Sequence, residues 1–198
     1  MQAAPNQRLT LWIALGLNAT MFLVGLAVGL VGQSSGLIAD SLDMLADATA
    51  YGIALWAIHK APRFQTRAAF TSGIFLALLG FGALGDALRR GLVGSTPEGT
   101  YMIATALLSL GVNVTVMRLL GRVREEGVHL KAAWIFTRAD VVANAGVILS
   151  GLIILVTGWR MTDVVVGALI AAYIVKESFE ILTEARRELI IQKSPQDR

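Results

Sequence analysis

Six apolar runs follow one another along this chain, each long enough to cross a lipid bilayer and each parted from the next by a short polar break. They cover about Leu9–Val31, Leu37–Ile58, Ala68–Leu88, Tyr101–Leu119, Ala133–Val156 and Met161–Leu182. A helix rises only ~1.5 Å per residue, so about 20 apolar residues are needed to span the hydrocarbon core. In lipid each backbone N–H and C=O must be satisfied within its own segment, which leaves such a run little choice but helix. The breaks QSSG, KAPRFQTR, RRGLVGSTPEG, RLLGRVREEGVHLK and TGWR are rich in Gly, Pro and charge, residues that turn the chain. No alternating β pattern appears. The expectation is an all-α, six-helix transmembrane bundle, with residues 1–198 forming a single transmembrane domain and no soluble domain attached. The first run exceeds the ~7–15-residue core of a signal peptide and ends in no small-residue cleavage site, so it is expected to be retained.

Charge placement decides orientation. Only 16% of the residues are charged, against 55% hydrophobic, whereas an ordinary soluble domain is nearer a quarter charged. With the N-terminus in the cytoplasm, the inside segments hold twelve of the 17 Lys and Arg, Arg8, Lys60, Arg122 and Arg186 among them. The outside loops hold Arg89, Arg90 and Arg160. An excess of Lys and Arg marks the cytoplasmic side, so both termini are expected there, in the cytoplasmic (inner) membrane. The same placement accounts for the net charge of +3 without a nucleic-acid partner. Arg138 and Lys176 lie within about two turns of a cytoplasmic end and can snorkel to the headgroups. The chain has no Cys, which removes disulfides, thiolate metal sites and cysteine nucleophiles.

The second run, GLIADSLDMLADATAYGIALWAI, carries Asp40, Asp43 and Asp47 and no internal cation. A carboxylate at mid-membrane costs about 2.5–3.5 kcal/mol on insertion scales, and each Leu or Ile returns only about 0.5. At 100° per residue the three fall within about 60° of one another, on one helix face. Like charges a turn apart repel, and burial penalises the charged form. A proton or a bound divalent cation relieves both. The fifth run places Asp140 and Asn144 one turn apart. Asp47 lies about 15 Å below the outer end of its run, and Asp140 and Asn144 about 11–17 Å above the inner end of theirs. The two groups therefore meet near mid-membrane, where converging oxygens suit a divalent cation.

Some polar residues have plainer explanations. Asp40, nearest the outer interface, reads as a wet or helix-capping carboxylate as well as a fifth ligand candidate. Asn144 reads equally as an interhelical hydrogen-bonding residue. Asn18 and Asn113 fit helix-packing roles, and Asp86 an interfacial one. Arg138 lies about 160° around the helix from Asp140 and cannot easily serve it. His59 and His129 read as interfacial and loop residues. Gly25 and Gly29, and the glycines Gly73, Gly80, Gly82 and Gly85, fit close helix packing.

These residues together resemble the cation diffusion facilitators. The stretch LGLNATMFLVGLAVGLVGQSSGLIADSLDMLADA is similar to that family's first two spans, with Asp43 and Asp47 on its two metal-ligand positions. GDALRRGL resembles the end of its third span. DVVANAGVILSGL resembles its fifth-span motif, with Asp140 on the metal-binding Asp. The similarity runs over roughly residues 10–182. Two departures stand out. The family's fifth-span His would fall on Phe136, so its four-ligand site is incomplete: either Asn144, a water or Asp40 completes the shell, or the metal preference has moved. An imidazole lost among oxygens shifts preference from Zn toward harder ions such as Mn or Fe. The family's C-terminal cytoplasmic domain is also absent from these 198 residues, so a homodimer is expected to form through the spans.

The resemblance implies a divalent-metal exporter rather than an enzyme: antiport of a transition metal (Zn, Mn, Fe, Co or Cd) against protons by alternating access. The ligands expected are Asp43, Asp47 and Asp140, with Asn144 and Asp40 as further candidates. Two other classes remain open. CDP-alcohol phosphotransferases also use Asp-rich helices, but their motif continues with DG and AR, whereas Met44 follows Asp43 here. A metal channel, or a non-transporting metal-binding protein, would show no proton coupling.

Overall fold

The computed structural model describes the backbone of residues 5–57, 62–123 and 128–193, and the side chains of 7–56, 66–123, 134 and 137–191. The chain forms α1 (Pro5–Val31), α2 (Ser35–Ala57), α3 (Pro62–Val93), α4 (Gly99–Val123), α5 (Val128–Thr157) and α6 (Met161–Lys193), with no strand among the described residues. Each helix falls on one apolar run. Pro5 and Pro62 open α1 and α3, a position where the missing N–H is no loss. Gly94 (φ 92°) and Gly158 (φ 70°) follow α3 and α5 in the left-handed conformation. Their N–H groups close the last turns on Arg90 O at 2.9 Å and Ile154 O at 2.8 Å. Several helices outrun their apolar stretches, α6 reaching Lys193. Apolarity marks where lipid lies, whereas backbone hydrogen bonding carries a helix on into the polar layer.

Four helices, α1, α3, α4 and α5, contain segments long and apolar enough to cross a membrane on composition alone. In these only 22% to 33% of the apolar window is buried within the protein, so most of it is left for lipid. Trp12, Leu23, Leu78, Phe81, Leu108 and Leu169 all point outward. The other two helices, α2 and α6, are 23 and 33 residues long. They are set apart by the acidic residues inside them, not by length.

α2 is the central element, in contact with all five other helices. The most extensive pairings are α3 with α6, α1 with α2, and α4 with α5. Glycine permits two of these approaches. A Cβ on Gly29 would lie 3.0 Å from the backbone N of Ile38, and one on Gly80 would lie 2.8 Å from Val175 Cγ2. Phe81 and Phe179 meet edge to face at 6.4 Å across the α3–α6 seam. One apolar cluster gathers Leu37, Leu76, Met102, Val147, Ile170 and Ile174; a second gathers Leu11, Ala14, Tyr51, Val116 and Leu120. On α2, Leu42 and Ala46 pack on the first cluster and Tyr51 belongs to the second.

The α1–α2, α3–α4 and α5–α6 connections are tied together at one end. Gln33 Oε1 accepts from the Thr96 N–H at 3.3 Å and its Oγ1 at 3.2 Å. Arg160 Nη1 donates to Ser95 O at 3.2 Å. The fully buried Asp163, near the start of α6, accepts from Ser34 Oγ (2.6 Å), Ser35 N (2.6 Å) and Gly36 N (2.9 Å). Nearby on α3, Asp86 pairs with Arg89 at 2.8 Å and Arg90 at 2.6 Å.

Candidate metal centre

α2 carries its three aspartates into the middle of the bundle because its other faces hold the apolar residues that pack against five neighbours. Asp40 is 3% exposed and Asp43 7%; on α5, Asp140 is 6% and Asn144 0%. Asp47 is partly buried. The α2–α5 interface joins them. Asn144 Nδ2 donates to Asp40 Oδ1 at 3.0 Å and, within its own helix, to Asp140 O at 2.8 Å. The Asp43 and Asp140 carboxyl groups lie close enough for each to act on the other. A proton or a cation between them would relieve the repulsion of two bare negative charges. Asp47 Oδ2 accepts from Tyr51 OH at 3.2 Å, and that hydroxyl also meets Thr137 Oγ1 at 3.3 Å.

The five candidates thus gather around one α2–α5 seam, each engaged by a neighbour. Among the described residues no three His, Asp or Glu side chains are assembled in a ligand arrangement. The carboxyls are instead divided among Asn144, Tyr51 and one another.

Several plainer expectations change. Asp40 is neither wet nor a cap. Position along the apolar run sets it near the interface, whereas neighbouring helices leave it only 3% exposed. The cap of α2 is Ser34, whose Oγ accepts from the Leu37 N–H at 3.1 Å. Asn18 does not bridge helices; its Nδ2 bonds Ala14 O in the preceding turn at 2.9 Å. Asn113 is 1% exposed, with neither amide atom hydrogen bonded. Arg138 is exposed and lies 5.2 Å from the ring centre of Trp134, away from the aspartates. Lys176 pairs with Glu180 at 3.2 Å on the surface. His59, His129 and the side chain of Phe136 lie outside the described residues.

One member of the cluster escapes a reading of the runs. Glu177 of α6 lies close enough for its charge to act on Asp43, Asp47 and Asp140. One of its oxygens is buried without a partner, and Tyr173 stands beside it, one turn back along α6. In KESFE it looks like part of a solvated charge string. The signal that separates it is angular: Lys176 and Glu180 pair one turn apart, whereas Glu177 lies about 100° from Lys176.

A cavity of about 550 Å³ opens between α2, α3 and α6 in the half of the bundle nearer the chain termini. Ala46, Thr49, Thr66, Leu76, Glu184 and Glu188 are among its walls. Thr66 Oγ1 donates to Glu188 Oε2 at 3.0 Å.

The chain is 28% identical over 163 residues to the zinc transporter ZitB of Yersinia pseudotuberculosis, covering 76% of this chain and 52% of that protein. It is 30% identical over 160 residues to the metal cation efflux system protein CzcD of Cupriavidus metallidurans, covering 76% and 50%. A cadmium, cobalt and zinc/H(+)-K(+) antiporter of Bacillus velezensis is 23% identical over 125 residues, covering 62% and 40%. The chain spans about half the length of the curated relatives it matches. The family model of the cation efflux transmembrane domain matches residues 11–190. With nearly its whole length so matched, and its buried carboxylates gathered between α2 and α5, this multi-pass membrane chain belongs to the cation efflux family, the cation diffusion facilitators.

Proposed function

We propose that this chain moves a divalent transition metal out of the cytoplasm across the inner membrane in exchange for protons. The observation that carries the proposal is the meeting of Asp43 with Asp140, and of Asp40 with Asn144, inside an otherwise apolar bundle. Asp43, Asp47 and Asp140 are the principal ligands, with Asn144 and Asp40 supplying further oxygens. Carboxylates must shed their protons to bind metal, so protons and metal compete for one site. That competition lets a proton gradient drive the metal uphill. The names of the relatives support a metal substrate and the outward direction: one is a zinc transporter, one an efflux protein and one an antiporter.

The route follows from the packing. Metal enters through the cavity between α2, α3 and α6, on the side of the termini, which we assign to the cytoplasm from the Lys and Arg distribution. The opposite end is closed by the tied connections and by the apolar cluster around Leu37, Met102 and Ile170. Rocking of the α3–α6 pair against the other four helices opens that end, protons displace the metal, and the protonated site returns. A homodimer fits the outward face of α3, where Leu78, Phe81 and Leu88 are exposed and Gly82 and Gly85 meet nothing within 4 Å. The described donors are all oxygens, which favours Mn²⁺ or Fe²⁺ over Zn²⁺, with Co²⁺ and Cd²⁺ also in range.

Efflux from loaded proteoliposomes tests this. Asp47→Ala should abolish metal movement while the protein still inserts and purifies as the wild type does. Undiminished transport by that variant would overturn the assignment. Strict Zn²⁺ selectivity among competing metals would overturn the preference for harder ions.

A further inference from the structure

We propose that Glu177 is a ligand of the transported cation, the α6 contribution to a site otherwise built from α2 and α5. The inference rests on the metal-transport function just argued and goes further, by adding an element to the site.

The geometry leaves three buried oxygens on α5 and α6 without a donor: Asp140 Oδ2, Asn144 Oδ1 and Glu177 Oε1. They come from two helices, and two of them belong to side chains only 6% and 0% exposed. A buried acceptor with nothing to accept from is costly and uncommon, and an unplaced cation is one of its few explanations. No described basic side chain stands among the aspartates. Arg138 lies over Trp134, and Lys176, whose charge reaches Glu177, is turned to Glu180 at the surface. Asp43, Asp47 and Asp140 each feel Glu177.

The position of Glu177 mirrors that of Asp47. Asp47 is held by Tyr51, one turn along α2. Tyr173 stands beside Glu177 in the same way, one turn back along α6. Each carboxyl lies between a tyrosine and the cluster. A cation drawing both inward gains a shell of carboxylate and amide oxygens, the donor set of a hard divalent ion. It also ties α6, and with it α3, to α2 and α5. Metal occupancy then fixes the α3–α6 pair against the rest of the bundle, which is the movement the transport cycle needs.

Metal binding to the full chain in detergent tests this, with Mn²⁺ titrated calorimetrically and Co²⁺ followed by its visible absorption. Glu177→Gln should weaken Mn²⁺ binding by about tenfold or more, because ligand charge sets affinity in such sites. It should also move the Co²⁺ bands, since one carboxylate leaves the shell. Glu180→Gln, a change on the surface of the same helix, should leave both within about twofold. Glu177→Asp keeps the charge but shortens the reach and should fall between; it stands in if the Gln variant does not fold. Mn²⁺ affinity unchanged in both Glu177 variants, with binding lost in Asp47→Ala, overturns the role of Glu177 and leaves the transport function standing. Weaker binding with an unaltered Co²⁺ spectrum overturns direct ligation. Binding unchanged in Asp47→Ala as well overturns the function itself.

Discussion

Asp163 shows how much one carboxylate can hold in place. It accepts from a hydroxyl and two backbone N–H groups at the start of α2, and the helix it pins is the one that carries the aspartates proposed as ligands. Leaving buried donors unmet costs about 1–3 kcal/mol each, less whatever water recovers. Asp163→Ala should therefore destabilise the protein by about 2–4 kcal/mol, read as a lowered thermal midpoint in detergent. Asp163→Asn keeps one carbonyl acceptor and should lose less; equal losses would mean that the acceptor is not what matters. In the sequence this residue is unremarkable, because an acid in the first turn of a helix is ordinary. Asp43, Asp47 and Asp140 are legible for the opposite reason: no bland role accommodates a carboxylate deep in an apolar run. Glu177 hides beside Lys176 and Glu180, because charge strings near the end of a run usually face water.

The six apolar runs locate the helices, and the polar breaks locate their connections, because lipid imposes length and apolarity together. Which helix packs on which is written far more faintly, in the small residues. Gly80 is sealed against Val175 and Ile174 of α6, whereas Gly82, two residues on, meets nothing within 4 Å. Gly80→Leu should overpack the α3–α6 seam and cost about 1–3 kcal/mol. Gly16→Leu, on the open face of α1 with nothing within 4 Å, should stay within about 0.5 kcal/mol, as surface changes do. Thermal unfolding of the two variants side by side checks this, and equal destabilisation would contradict the seam. From the sequence the four glycines of the third run look alike, since a periodic pattern gives no partner. The departure of α2 and α6 from spanning composition is the more informative signal. The two helices richest in buried acid are both in contact with α3 and α5, and they frame the cavity.

For the bundle as a unit, sidedness and proton coupling are one question. Six helices return the C-terminus to the side of the N-terminus, and the cavity opens on that same side. If that side is cytoplasmic, the carboxylates load metal where protons are scarce and release it where they are abundant. The sign follows from competition. Metal binding requires deprotonated carboxylates, so affinity must fall as pH falls. Each proton released on binding weakens apparent affinity by about tenfold per pH unit wherever that carboxyl is protonated in the metal-free protein. Mn²⁺ titrations between about pH 8 and about pH 6 should show this loss, with proton release visible in weakly buffered solution. In everted membrane vesicles an acidified interior should drive metal accumulation against its own gradient, and a protonophore should abolish it. A channel with the same carboxylates would bind metal with the same pH dependence, yet would only let an existing metal gradient run down. Uphill accumulation under an imposed pH gradient is thus the outcome that separates an exchanger from a pore, and its absence in a vesicle that still binds Mn²⁺ would reassign the bundle to the second.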